Sequence, residues 1–244
     1  MNKALIPFFL TFLAGSATLL GILPTYGSQK EETIIPHTLS FSAGVMISIS
    51  CFSLIPEAFL YVKQHHPLLE ILFIIIEIFL GIYISKGISI FINHKKESKL
   101  YKISIITTLA LILHNIPEGM ITFLLSKNNL HLGILLSLAI ACHNIPEGIA
   151  ISIPLYYATR NHKKVFFYTF IAGFSELLGA FIAYFILGKT VSSLMLSSLL
   201  SITAGIMIFV SLEELLKTAK TYQNKHIKFS FLLGFVFMFL IQII

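Results

Sequence analysis

Charge is what this chain has least of. Charged residues make up 11% of its 244 positions and hydrophobic ones 56%, where an ordinary soluble domain carries roughly 25% charged residues. That shortage excludes a soluble globular protein and implies a polytopic membrane protein. Aspartate is missing altogether, so all eleven acidic side chains are glutamates. The two cysteines, Cys51 and Cys142, lie in apolar runs and supply neither a disulfide framework nor a CxxC metal site. There is no low-complexity tract and no linker long enough to divide domains. The first apolar stretch runs straight into Gly21, Leu23 and Pro24 without a small-residue cleavage site and is not read as a signal peptide. A net charge of +6 would hint at nucleic acid in a soluble chain; here no nucleic-acid partner is expected, and the cations are read by where they fall relative to the membrane.

Apolar stretches near the roughly 17–25 residues that cross hydrocarbon fall at roughly 4–24, 36–60, 68–92, 103–125, 131–157, 165–187, 191–216 and 228–244. The expectation is an all-α bundle of eight transmembrane helices forming one domain, 1–244. Twelve basic residues gather on one side: Lys30, then Lys95, Lys96, Lys99 and Lys102, then Arg160, Lys163 and Lys164, then Lys217, Lys220, Lys225 and Lys228. Four fall on the other (Lys3, Lys63, Lys127, Lys189), and Lys86 is left inside the third span. That asymmetry puts the odd-to-even connectors in the cytoplasm and both termini outside the cell membrane. A seven-span reading would carry one terminus across and is disfavoured.

Against this apolar background one polar hexapeptide, HNIPEG, is spelled twice, at His114–Gly119 in span four and His143–Gly148 in span five, 29 positions apart (143 minus 114). Sequential spans run antiparallel, so the repeat is inverted and can set both copies face to face near the midplane about a pseudo-two-fold axis. On a helix His114 and Glu118 share a face at i, i+4, with Asn115 and Glu118 adjoining at i, i+3; His143, Asn144 and Glu147 repeat this. Pro117 and Pro146 cannot donate to the carbonyls of Leu113 and Cys142, which predicts a kink in each helix. Gly119 and Gly148 permit close helix approach. Ionisable groups at membrane depth cost several kcal/mol each on insertion scales, about 3 for an acid. Facing glutamates therefore need a cation between them or must hold protons. Imidazole nitrogen with carboxylate oxygen suits Zn²⁺, Fe²⁺, Mn²⁺ and Co²⁺, whereas thiolates would have favoured Cu⁺.

Of the remaining glutamates, Glu31, Glu32, Glu70 and Glu97 fall in connectors or at span ends. Glu176 stands deep in span six among Gly173, Ser175 and Gly179 and is placed to complete a second metal site. Glu57, Glu213 and Glu214 lie near membrane faces, where vestibule and interfacial roles are equally open. Glu77 has no evident partner, and a structural hydrogen bond is as good a reading as function. His65, His66, His94, His162 and His226 sit in connectors.

The two HNIPEG copies and "SELLGA" in span six, within eight spans, resemble the ZIP (Zrt-, Irt-like protein) family of metal transporters over essentially the whole chain, most closely its bacterial zinc-transporting branch. The resemblance implies an importer of divalent metal, zinc with iron, manganese, cobalt and cadmium as further cargo, through a binuclear site. His114, Glu118, His143 and Glu147 would hold the first ion. Asn115, Asn144 and Glu176 would hold the second, with Glu118 and Glu147 bridging. It also implies a homodimer in the lipid bilayer and no prosthetic group. Leu177 stands where relatives commonly carry proline, which bears on a local kink and not on the Glu176 carboxylate. The connector after span three, often histidine-rich in eukaryotic relatives, is short and holds only His94, so no metal-sensing loop is expected. The chain reads as a transporter and not an enzyme, since it has no HExxH arrangement. A proton-coupled carrier of a non-metal solute is the alternative, and a purely structural subunit would leave the paired motifs without a purpose.

Overall fold

The computed structural model describes residues 4–27, 29–62, 67–187 and 192–243; Lys3, Lys63, His65, His66, Lys189 and the final residue of the eighth expected span lie outside them. Among the described residues, seven helices are long and apolar enough to cross a membrane: α1 Leu5–Tyr26, α2 Glu31–Val62, α3 Pro67–Asn93, α4 Lys99–Asn128, α5 Leu130–Thr159, α6 His162–Phe185 and α7 Ser193–Lys220. The eighth, α8 at Ile227–Ile243, is apolar but shorter. No strand occurs among the described residues. The protein is thus an all-α, multi-pass membrane protein, and large side chains such as Leu68, Phe79, Tyr83, Phe229 and Leu240 stay exposed around its rim, as lipid-facing surface requires.

Polar caps cut the apolar sequence into helices. Ser98 accepts from the Tyr101 amide (3.3 Å), Asn129 from that of Leu132 (3.2 Å), and Asn161 from those of Lys163 and Lys164, each satisfying orphan donors of a first turn. Asn129 alone separates α4 from α5, which forces the two into an antiparallel pair. Both run unbroken as helices through Pro117 and Pro146.

That pair forms the centre. Helices α1 and α6 pack on both of its members and on each other, α2 packs on α5, and α7 on α4; α8 lies outside on α2, and α3 outside on α7. Exchanging α1 with α6, α2 with α7, α3 with α8 and α4 with α5 maps each of these packings onto another of them, so the inverted repeat embraces the whole bundle. The sequence carries it too. "LSFSAGVMISIS" (39–50) in α2 corresponds to "LSITAGIMIFVS" (200–211) in α7, and "GSATLLG" (15–21) in α1 to "GFSELLG" (173–179) in α6. Helices α2 and α7 also widen into π-turns at matching places, Ser50–Leu54 and Val210–Leu216. The α7–α8 connector is tied back to the start of α2, where Tyr222 donates to Glu31 Oε1 at 3.1 Å. Burial and that carboxylate push the phenol's pKa up, so it remains a donor.

Candidate metal centre

Helices α4 and α5 bring their repeated motifs into one buried cluster. His114 Nε2 lies 3.3 Å from Glu118 Oε1 on its own helix and 3.4 Å from Glu147 Oε1 on the neighbour; His143 Nε2 lies 3.2 Å from Glu118 Oε1 and 3.3 Å from its Oε2. The two imidazole centroids are 6.3 Å apart, and ligand-capable atoms of His114, His143 and Glu147 all fall within 4.8 Å of one another. None of the four residues is more than 6% exposed.

The asparagines are oriented by their amide nitrogens. Asn115 donates to the Ala172 carbonyl in α6, and Asn144 to the Ala14 carbonyl in α1, both at 2.9 Å; Asn144 also donates to Glu176 Oε1. Fixed in this way, both Oδ1 atoms are buried without a hydrogen-bond partner, as are Glu147 Oε1 and Oε2, Glu176 Oε2 and both ring nitrogens of His114. The 3.4 Å contact of His114 with Glu147 lies within ion-pair reach but lacks the alignment of a hydrogen bond. Buried polar atoms left unpaired cost roughly 1–3 kcal/mol each, and seven of them gather on these five side chains. The expected residues His114, Asn115, Glu118, His143, Asn144, Glu147 and Glu176 thus converge on the α1, α4, α5 and α6 crossing.

Small residues make the crossing possible. A Cβ placed on Gly119 would run into the backbone of Glu176, and one on Gly148 into that of Thr18; without side chains at these positions, α6 and α1 approach closely enough to reach the cluster.

The remaining acids separate. Glu57 lines a cavity of about 60 Å³ that also touches Ser53, Gln242, Glu118 and His143, so it belongs to a mouth of the cluster. Glu214 is buried and accepts from Ser89 Oγ at 2.5 Å, whereas Glu213 is exposed and pairs with Lys217 at 3.0 Å. Both of them line a separate cavity of about 630 Å³ beside Lys86 and Thr218. Glu77 on α3 faces Ser198 of α7. His94 is exposed, and His162 stacks on Tyr26 with centroids 4.4 Å apart. His37, which the sequence did not single out, bonds Ser230 through Nδ1 at 2.7 Å. Thr18 and the matching motifs of α1 and α6 were likewise missed, and aligning Gly15 with Gly173 would have found them.

The chain matches the family model described as ZIP Zinc transporter over residues 86–242. It is 38% identical to the zinc transporter ZupT of Campylobacter jejuni, covering 92% of this chain and 91% of that protein. It is 37% identical to ZupT of Clostridium perfringens (93% and 91%) and 36% identical to ZupT of Streptococcus mutans (90% and 89%).

Proposed function

The chain belongs to the ZIP family, and on that premise we propose that it carries divalent metal ions, zinc foremost, across the cell membrane into the cytoplasm. It is a transporter and not an enzyme. One observation carries the reading: the His–Glu distances of 3.2, 3.3 and 3.4 Å. Hydrogen bonds from a ring N–H to a carboxylate oxygen most often measure about 2.9–3.0 Å, within a range of about 2.7–3.2 Å, so these contacts lie at or beyond its long end. A tetrahedral zinc with bonds of about 2.0–2.1 Å separates its ligand atoms by about 3.3–3.4 Å. The His114–Glu118, His114–Glu147 and His143–Glu118 contacts are therefore close to the ligand spacing of such an ion, which supports metal binding by these side chains.

In this reading His114, Glu118, His143 and Glu147 hold one ion. The free Oδ1 atoms of Asn115 and Asn144, with Glu176, hold a second, and Glu118 and Glu147 bridge the two. Iron, manganese, cobalt and cadmium accept the same donors and are included as cargo. The chain works as one transport domain, as a homodimer, with both termini outside the cell and the Glu57 mouth facing outward. An arriving ion trades its water for imidazole and carboxylate, and those ligands must give up protons to receive it.

Sealed vesicles containing the purified protein test this. Zinc accumulation is expected, with the other metals ranked by competition, and it should be lost in Glu147→Ala. Uptake that persists in Glu147→Ala at equal reconstitution, or that admits a non-metal solute in place of zinc, refutes the reading.

A further inference from the structure

The pseudo-two-fold axis that pairs His114 with His143, Asn115 with Asn144 and Glu118 with Glu147 gives Glu176 a mate of different chemistry. Counting from Gly15 in α1 and Gly173 in α6, Glu176 corresponds to Thr18. The backbone surroundings agree. Gly119 abuts the Glu176 carbonyl as Gly148 abuts that of Thr18. A Cβ on Gly15 would lie 3.2 Å from the Cβ of Glu176, and one on Gly173 would lie 3.1 Å from both Cβ and Oγ1 of Thr18. Asn144 donates to the residue before Gly15, and Asn115 to the residue before Gly173.

Thr18 is fully buried, and its hydroxyl has no hydrogen-bond partner. Helical threonines normally return their hydroxyl to a carbonyl of the preceding turn, as Thr11 does to Pro7 (3.0 Å) and Thr108 to Ser104 (2.7 Å). For Thr18 the carbonyl four residues back is that of Ala14, which receives the Asn144 amide instead. Thr107, Thr122 and Thr169 are also buried without a partner, but none of them stands opposite a carboxylate of the cluster. By symmetry with the Asn144–Glu176 bond, the Thr18 hydroxyl belongs beside Asn115, whose Oδ1 is equally free.

We propose that Thr18 is the fourth non-bridging contributor to the second metal position, beside Asn115, Asn144 and Glu176, and that a hydroxyl there in place of a carboxylate sets how firmly the ion pair is held. The proposal rests on the two-ion reading above. Glu118, Glu147 and Glu176 bring three negative charges against four on two divalent ions, so the filled site keeps one uncompensated positive charge at membrane depth, where charge is costly. A glutamate at position 18 would cancel it and hold the second ion too firmly for a carrier that must release it.

The test is a swap across the axis, read as zinc bound per purified full-length chain and as zinc release rate. Wild type should bind two ions and Glu176→Thr one. Thr18→Glu combined with Glu176→Thr should recover two, because the carboxylate reappears at the symmetry-related place, while Thr18→Gln with Glu176→Thr, similar in shape but uncharged, should stay at one. Thr18→Glu alone should slow zinc release by at least about tenfold, the lower end of effects seen on perturbing a metal's surroundings. No recovery in the Glu swap, beside a two-ion wild type, overturns this proposal alone; a one-ion wild type overturns the two-ion reading and the proposal with it. If the Glu variants do not fold, isosteric Thr18→Val decides. It should change the zinc-to-cadmium uptake ratio several-fold while Thr18→Ser preserves it, and a ratio unchanged in Thr18→Val overturns the proposal.

Discussion

Replacing Glu147 by glutamine should weaken zinc binding and at the same time leave the metal-free protein as stable as before or more so. The two effects share a cause. Glu147 is fully buried with neither carboxylate oxygen hydrogen-bonded, and its nearest partner is His114 Nε2 at 3.4 Å. A carboxylate so placed is costly without an ion, and an amide of nearly equal shape relieves part of that cost. With zinc present the sign reverses. Disturbing a residue behind a metal ligand already lowers affinity 10- to 100-fold, so loss of a charged ligand should weaken binding by at least about 100-fold, or roughly 2.7 kcal/mol. A ligand at 100 times its Kd stabilises the folded state by about 2.7 kcal/mol, whereas at its Kd the gain is only RT ln 2, about 0.4 kcal/mol.

The assay is thermal unfolding in detergent, with and without a zinc concentration set at 100 times the wild-type Kd. Zinc-induced stabilisation should fall by about 2.3 kcal/mol in Glu147→Gln (2.7 minus 0.4), and the metal-free midpoint should not drop. A Glu147→Gln protein that melts lower without metal and keeps the full zinc-induced increment would refute the reasoning, because it would make Glu147 a structural partner of His114 and not a ligand.

Three further outcomes are expected. A cysteine placed at Lys96 should be labelled only from the cytoplasm and one at Lys127 only from outside; labelling of both from one side contradicts the eight-span orientation. On zinc affinity, His114→Ala and His143→Ala should be strongly non-additive, as residues sharing one ion are, and additive losses by calorimetry would mean that the motifs serve separate ions. Glu57→Gln should slow uptake at low zinc without changing zinc affinity in detergent, since Glu57 touches the cavity that leads to Glu118 and His143; an equal loss of affinity would move Glu57 into the site itself.

The legible parts of the sequence were those in which polarity contrasts with its surroundings. HNIPEG stands out twice in apolar helices, and His114, Glu118, His143 and Glu147 meet as the inverted repeat requires. Helix limits were less visible. Helix α4 begins at Lys99 and ends at Asn128, beyond its apolar stretch at both ends, because interfacial turns tolerate polar side chains that hydropathy counts against a span. The pairing of α1 with α6 left no such trace. Glycine, leucine and threonine are ordinary in membrane helices, and only the register of "GSATLLG" against "GFSELLG" exposes the match. Adjacent Glu213 and Glu214 could not be told apart on paper, since one residue of rotation sends the first to Lys217 at the surface and the second to Ser89 inside.

The same register carries the symmetry out to the cavities. With Gly44 set against Gly205, Ser53 of α2 corresponds to Glu214 of α7, and Glu57 to Thr218. The cavity at the end of α2 is lined by Ser53 and Glu57, and the one at the end of α7 by Glu214 and Thr218. Each therefore has one carboxylate and one hydroxyl at equivalent positions, with the two chemistries exchanged. The inverted repeat fixes where polar groups stand, and the residue at each single position decides which of them are charged. In each cavity the symmetry-related pair presents a single carboxylate. The set of three carboxylates occurs only at the α1, α4, α5 and α6 crossing, where Glu176 has no acidic mate.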